Sequence, residues 1–318
     1  MMKIENQEAP FTVQIELTEG CNLGCKFCGL RGMREKGTKP WKFMSIKTAK
    51  RIASEIKKAK WSSKIVFAMH GEPTLNENIF EIVDIFRKDL PNNIFHVISN
   101  GKGIVESEDI LDYVNLLEDC GVNHLLLDNY SENGDWSKVV KAVEGKKKII
   151  YMDKGIPMFS HTKKFDILVL PPIVDVKISY VRNLKNHCGA AFPPAEGYAD
   201  KRCTVPFREL SFRWDGNVSI CCDDFRGQYP IANINDVDII SLWNNERLQA
   251  ARIMLYNGDR GFFPCNICNS VSMRVGLLPD KLGKKTLPSI TKEVRNIAVK
   301  VSKENASLSN IVKRSWEK

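Results

Sequence analysis

Residues Thr18 to Met33 read TEGCNLGCKFCGLRGM and hold three cysteines, Cys21, Cys25 and Cys28, at C-x3-C-x2-C spacing. Glycines interrupt the stretch, which reads as a tight loop. Three thiolates hold three irons of a [4Fe–4S] cube, whereas a cluster that only carries electrons normally has all four irons ligated. The odd count therefore predicts an iron left open to a ligand or substrate. Phe27, just before the last cysteine, adds an aromatic face. A zinc knuckle is the competing reading. Zinc sites usually close with four ligands, and no fourth Cys or His lies nearby in sequence.

This triplet, with an aromatic residue before its third cysteine, resembles the signature of the radical S-adenosylmethionine (radical SAM) enzymes. The resemblance implies a partial (β/α)6 barrel whose [4Fe–4S] cluster binds SAM through the open iron. It further implies reductive cleavage of SAM to a 5′-deoxyadenosyl radical that abstracts hydrogen from a substrate. An electron donor such as flavodoxin or ferredoxin is then expected. In such systems the cofactor carries the radical chemistry, while the protein positions and shields it.

Composition fits this picture. The 318 residues are 43% hydrophobic and 27% charged, as in an ordinary globular protein. Met1 to Pro10 is polar and has no apolar signal core, and no apolar run approaches membrane-span length. Ten cysteines without a secretory signal argue for metal ligation in a reducing compartment, so a cytoplasmic location with no membrane partner is expected. The net charge of +9 is uneven: Lys281 to Lys318 carries ten Lys/Arg against three Glu. The basic character belongs to the tail.

From Thr12 to Tyr151 the chain alternates apolar, β-branched runs with amphipathic stretches. TVQIEL (Thr12–Leu17), KIVFAM (Lys64–Met69), Ile94–Ser99, VNHLLLD (Val122–Asp128) and Lys148–Tyr151 read as strands, and Phe165–Leu170 and Val174–Ser179 supply the last. Helices are expected after Ser45, over Asn78–Leu90, over Ser107–Cys120 and near Trp136–Val143. This alternation predicts an α/β fold with a parallel sheet, whose chemistry sits at the carboxyl ends of the strands.

Candidate site residues fall at those ends. Met69-His70-Gly71-Glu72-Pro73 resembles the family's GGEP motif, with His70 in place of the first glycine. The resemblance implies that Gly71, Glu72 and Pro73 form the segment that meets the SAM amino group. Ser99-Asn100 matches the family's ribose contact, and by itself is also a turn signature. Asp128 is a candidate for ribose or substrate, or simply a helix cap.

Beyond residue 182 the composition changes to a Gly/Ala/Pro-rich linker, 183–200. Cys203 and Cys221 then bracket an Asp215-Gly216 hairpin, and Cys265 and Cys268 form a C-x2-C pair after a helix expected over Ile240–Leu255. Four thiolates make a closed site, either an iron–sulfur cluster or structural zinc. The pattern resembles the short "twitch" form of the SPASM extension, which holds one auxiliary [4Fe–4S] cluster. Its ligand intervals of 17, 43 and 2 residues resemble those of the dehydrogenases of aminoglycoside pathways. Expected domains are a barrel over 1–182, an auxiliary domain over 201–278 and a basic tail over 279–318.

Three cysteines remain. Cys222 neighbours Cys221, Cys120 reads as core, and Cys188 sits in the linker, where a thiol could return hydrogen to a substrate radical. Tyr180 and Arg182 are candidates for substrate contact. The expected activity is dehydrogenation of a small carbohydrate-like metabolite with the auxiliary cluster as electron acceptor. A barrel that begins near residue 12 leaves no room for a fused peptide-recognition domain, which disfavours a peptide maturase. Epimerisation through Cys188 is the alternative. From another class comes a zinc-stabilised nucleic-acid-binding protein. Nucleic acid is not expected, although the basic tail leaves it open. Ile290, Val294, Ile297 and Val301 give that tail an amphipathic helix, expected to dock with its charged face in solvent.

Overall fold

The computed structural model describes residues 9–25, 27–32, 41–130, 133–152, 163–171, 186–188, 190, 200–270 and 289–304. The expected strand at 174–179, Tyr180 and Arg182 lie outside them. In chain order the strands are β1 (Thr12–Ile15), β2 (Thr18–Glu19), β3 (Lys42–Phe43), β4 (Lys64–Phe67), β5 (Phe95–Ser99) and β6 (His124–Leu127). They continue with β7 (Ile149–Tyr151), β8 (Asp166–Val169), β9 (Glu209–Phe212), β10 (Asn217–Ser219) and β11 (Pro230–Asn233). Nine form one sheet, ordered β11-β10-β9-β1-β4-β5-β6-β8-β7, and β2 and β3 form a separate pair.

The six strands from β1 through β4, β5, β6 and β8 to β7 run parallel, as the alternation predicts. Strand order departs from chain order at the edge. β8 is buried throughout and takes the place beside β6, while the half-exposed β7 is left outermost. Inside a parallel sheet both faces of a strand are covered, as they are along β8, whereas an edge strand such as β7 keeps part of its surface in solvent.

The helices are α1 (Ile46–Lys58), α2 (Ile79–Asp89), α3 (Lys102–Val105), α4 (Ile110–Asp119) and α5 (Asp135–Val143), followed by α6 (Ile239–Trp243), α7 (Glu246–Tyr256) and α8 (Lys292–Glu304). Ser45 caps α1, its hydroxyl accepting from the Thr48 amide at 3.1 Å. Ala49, Ile52, Ala53 and Ile56 form the buried face of α1. The helix expected over Ser107–Cys120 starts at Ile110, because Asp109 accepts from the Asp112 amide and sets the cap there. The long helix expected over Ile240–Leu255 is two helices. Asn245 caps the second through the Arg247 amide, so the axis breaks, and Ile240 is left 45% exposed.

The Cys203–Cys221 hairpin does not stand apart from the barrel. β9 pairs in parallel with β1, and β10 returns antiparallel to β9 through a turn in which Gly216 has φ +85°. The left-handed backbone there suits glycine. One sheet thus carries the cysteine loop after β1 and the second group of cysteines after β10. α8 packs on α7 through Val294, Ala298 and Val301, so the described part of the tail is a docked helix. Among the described residues no helix is long and apolar enough to cross a membrane.

Candidate active site

The loop bearing Cys21, Cys25 and Cys28 leaves β2 and lies over the carboxyl ends of β4, β5 and β6. The Cys28 amide donates to the Cys25 carbonyl at 3.1 Å, closing the turn. Cys21 Sγ accepts from the Leu23 amide at 3.4 Å and from Asn100 Nδ2 at 3.5 Å. All three thiols border a cavity of about 470 Å³, together with Phe27, Asn100 and Asp128. Burial pushes the Cys21 thiol up to about 12 and the Cys25 thiol up to about 11. Without metal these thiols stay protonated at neutral pH, so iron must displace their protons on binding. Three soft donors on one rim of an open cavity, with backbone and amide N–H groups aimed at sulfur, fit an iron–sulfur cluster with one free iron.

Gly71 explains how the segment 69–73 reaches this loop. A side-chain carbon at Gly71 would lie 1.9 Å from the Thr18 carbonyl oxygen and 2.6 Å from that of Gly20. Only a bare Cα permits this approach, and it brings the Glu72 amide onto the Gly20 carbonyl at 2.9 Å. The Glu72 carboxylate is already engaged. Oε1 accepts from the Thr74 amide, the Thr74 hydroxyl and the Ser99 hydroxyl, and Oε2 accepts from the Asn100 amide at 2.9 Å. Burial raises its pKa against these four donors. Glu72 therefore ties the turn at Pro73 to the end of β5, and it also borders the cavity. Ser99 is wholly buried, while Asn100 reaches the cysteine loop through Asn22 at 3.0 Å.

Asp128 ends β6 with its amide on the Ser99 carbonyl, and takes a hydrogen bond from Tyr130, whose ring meets Phe27 edge-on at 5.2 Å. Burial pushes the Asp128 carboxyl up to about 7, against the Tyr130 hydroxyl. A carboxyl raised in this way contributes stability in its protonated form. That contribution is full below the ordinary carboxylate range and is lost as pH climbs through 7. Asp128→Asn cannot ionise, so its Tm should gain several degrees on wild type between about pH 5 and pH 8. A Tm difference that does not change with pH would contradict this assignment.

His70 was singled out only as a departure from glycine. It is buried, and it joins the barrel to the second cysteine group. Nε2 lies 2.9 Å from the Cys222 carbonyl and Nδ1 2.8 Å from Glu16 Oε1. A carbonyl only accepts, so Nε2 carries a proton. Beside it Arg213 binds Glu19 at 2.6 Å and the Phe225 carbonyl at 3.2 Å. Burial opposes ionisation of Glu19, but the charges of Arg213 and Lys42 hold its carboxyl down at about 2. Gly29, next to Cys28, leaves room for Phe225: a Cβ there would lie 2.7 Å from that ring. The bond between Arg213 and Glu19 spans 194 residues of chain, and no local motif announces it.

The second cysteine group is closed where the first is open. Cys203, Cys221, Cys265 and Cys268 are all buried and polarise one another. Arg260, also buried, donates to the carbonyls of Lys201, Cys268 and Ser270 at 2.7–2.9 Å, fastening the chain on both sides of the site. Burial pushes the Cys203 thiol up to about 12 and the Cys265 thiol well above the usual range, and the Arg260 charge works against that rise. At Cys268 the bond from Cys188, with a smaller part from Arg260, lowers the thiol. Four buried thiols beside a fixed cation fit a fully ligated cluster. Cys222 turns instead to the cavity.

Cys188 corrects an expectation. Its thiol is 2% exposed and hydrogen-bonds to Cys221 and Cys268, off the cavity wall, so it is not placed to return hydrogen to a substrate. Its neighbour His187 stands on that wall.

Comparison with known proteins agrees with this geometry. Residues 15–144 match the family model "Radical SAM superfamily", and residues 203–269 match SPASM, "Iron-sulfur cluster-binding domain". The chain is 22% identical over 268 residues to the S-adenosyl-L-methionine-dependent 2-deoxy-scyllo-inosamine dehydrogenase of Niallia circulans, covering 82% of this chain and 94% of the relative. It is 25% identical over 91 residues to GTP 3′,8-cyclase of Pectobacterium atrosepticum, covering 29% of this chain and 27% of that protein. The crystal structure of BtrN in complex with AdoMet and 2-DOIA superposes with a TM-score of 0.65 at 20% identity, over 84% of this chain and 96% of BtrN. An open conformation of BtrN gives 0.58 at 18% identity, over 83% and 94%. With an open three-thiol loop on a parallel barrel and a closed four-thiol group behind it, the chain is a radical SAM superfamily enzyme carrying a SPASM-type iron–sulfur domain.

Proposed function

We propose that the enzyme dehydrogenates a secondary alcohol on a small, carbohydrate-like metabolite. Cys21, Cys25 and Cys28 hold the cluster that binds and cleaves SAM, and Cys203, Cys221, Cys265 and Cys268 hold the auxiliary cluster. When bound, the first supplies the 5′-deoxyadenosyl radical and the second a one-electron acceptor. The observation that carries the reading is the pairing of an open and a closed thiol group on one sheet, with a small-molecule-sized cavity at the open one. The 2-deoxy-scyllo-inosamine dehydrogenase named among its relatives supports the substrate class.

Within this reading the chain's own residues bind, orient and shield. Asn100 and the segment at Gly71 position SAM beside the cysteine loop. Asp128 and Tyr130 offer polar contacts on one wall, and Phe27 supplies an apolar edge that keeps water away from the radical. A flavodoxin or ferredoxin delivers the electron for SAM cleavage. Tyr180 and Arg182 remain proposed substrate contacts. The epimerase alternative rested on Cys188, which bonds to Cys221 and Cys268 off the cavity wall. Cys222 does border the cavity, so analysis of the product separates the two outcomes.

The test is anaerobic turnover of the reconstituted enzyme with SAM, reductant and a panel of aminocyclitols headed by 2-deoxy-scyllo-inosamine. The expected outcome is a ketone in roughly one-to-one ratio with 5′-deoxyadenosine. Epimer without ketone, or SAM cleavage unaffected by every alcohol tried, would contradict the proposal.

A further inference from the structure

Removal of a hydrogen atom from a carbinol carbon leaves a proton and an electron still to be taken up. The closed thiol group answers for the electron. The cavity wall beside it holds a candidate for the proton that no motif marks: His187, paired with Asp223.

The chain carrying His187 is fixed. Asn186 and Asn269 exchange amide bonds, Asn186 N–H to Asn269 Oδ1 at 2.7 Å and Asn269 N–H to Asn186 Oδ1 at 3.1 Å. Asn186 Nδ2 adds a bond to the Ile267 carbonyl at 2.6 Å. The next two residues both take left-handed backbone, His187 at φ +47° and Cys188 at φ +53°. Non-glycine residues disfavour this region and hold it only where the surrounding structure fixes them. The strained pair turns its side chains to opposite tasks. Cys188 packs against Cys221 and Cys268, while His187 faces the cavity that the cysteine loop borders.

His187 is also oriented. Nδ1 lies 3.1 Å from Asp223 Oδ1, whose side chain is buried, and the imidazole packs on Phe225 at 4.5 Å. A carboxylate accepting from Nδ1–H leaves Nε2 as the bare nitrogen of the neutral ring. Among the described residues, Nε2 has no protein partner. A base held by a carboxylate, with its free nitrogen on a substrate cavity, is the geometry of general-base catalysis.

We propose that His187, oriented by Asp223, is the base that deprotonates the substrate radical in the dehydrogenation proposed above, on which this inference rests. After hydrogen abstraction, the O–H bond of the hydroxyl-bearing carbon radical breaks and its proton goes to His187 Nε2. Of the three electrons in that bond and on the carbon, two form the C=O π bond. The third passes to a one-electron acceptor of the iron–sulfur class. His187 adjoins Cys188, which touches two of the thiols that hold the acceptor, so proton and electron leave towards the same wall.

The experiment compares wild type, His187→Gln and His187→Ala as reconstituted enzymes with equal iron, using SAM, reductant and the aminocyclitol panel. Freeze-quenched samples are examined by EPR. In His187→Gln, ketone should fall about 100-fold while 5′-deoxyadenosine stays within about threefold of wild type. A carbon-centred radical should accumulate that wild type does not show, and imidazole should restore ketone to His187→Ala. A parallel loss of ketone and 5′-deoxyadenosine, or retention of ketone, in variants of an active wild type would overturn the role of His187 alone. If wild type itself yields no ketone from any alcohol, the dehydrogenase reading fails and this inference falls with it.

Discussion

Gly71→Ala should reduce 5′-deoxyadenosine formation by about 100-fold or more, because a misplacement near 1 Å in an active site costs about that much. The added methyl would lie 1.9 Å from the Thr18 carbonyl oxygen, and neither contact partner is a side chain that can swing away. Backbone must move, and the segment that moves carries Glu72, whose amide bond to Gly20 and carboxylate bonds to Ser99 and Asn100 register β4 against β5. Overpacking of this kind costs about 1–3 kcal/mol, and the lost hydrogen bonds add roughly 1 kcal/mol each. Gly145→Ala is the control. Gly145 also has positive φ, at +74°, but nothing lies within 4 Å of its missing Cβ. That variant should lose about 1 kcal/mol and no activity. Equal activity losses in the two variants would show that close approach at Gly71 is not what matters.

Arg213→Met should destabilise the folded enzyme by about 3–5 kcal/mol at neutral pH, the cost of leaving a buried charge without its partner. The residue stands where β9 turns into the hairpin, and its guanidinium reaches back to Glu19 beside the cysteine loop. Lys42 at 3.1 Å and Trp214 Nε1 at 3.2 Å also meet Glu19, so the carboxylate is not abandoned entirely. The pH dependence separates this cause from loss of packing. In wild type the depressed Glu19 carboxyl contributes stability above the ordinary carboxylate range, lost only as pH falls through about 2. Without Arg213, burial governs and raises the carboxyl, so acidification protonates and relieves it. The deficit should therefore shrink between pH 7 and pH 4 in chemical denaturation, and Arg213→Met/Glu19→Gln should recover part of it. A deficit constant with pH would assign the role of Arg213 to packing.

What the sequence announced was local. Cys21, Cys25 and Cys28 lie within eight residues, and Cys265 and Cys268 within four, so their spacing alone carried the chemistry. The Asp215-Gly216 turn was readable for the same reason, whereas Gly71 was reached through the resemblance of residues 69–73 and its close approach to the Thr18 carbonyl came from the structure. The alternation of strands and helices gave the parallel sheet, but not the placement of β8 inside β7. Periodicity reports that a strand exists and says nothing of its neighbour. The break at Asn245 was hidden because apolar residues on both sides continue one apparent helix. Least readable were the long-range pairs: Glu16 with His70, His70 with the Cys222 carbonyl, Arg213 with Glu19, and His187 with Asp223. The Glu16 and Glu19 carboxylates in an otherwise apolar, β-branched stretch were the one trace of them. A charge in such a setting calls for a buried partner.

The central claim is that one chain holds two iron–sulfur clusters, one open and one closed. Iron, sulfide and zinc should be counted after anaerobic purification of wild type, Cys21/Cys25/Cys28→Ala and Cys265/Cys268→Ala. About eight irons per wild-type chain, with each variant losing about four, is the predicted result. Zinc in the second site, or no iron in the first after reconstitution, would contradict it.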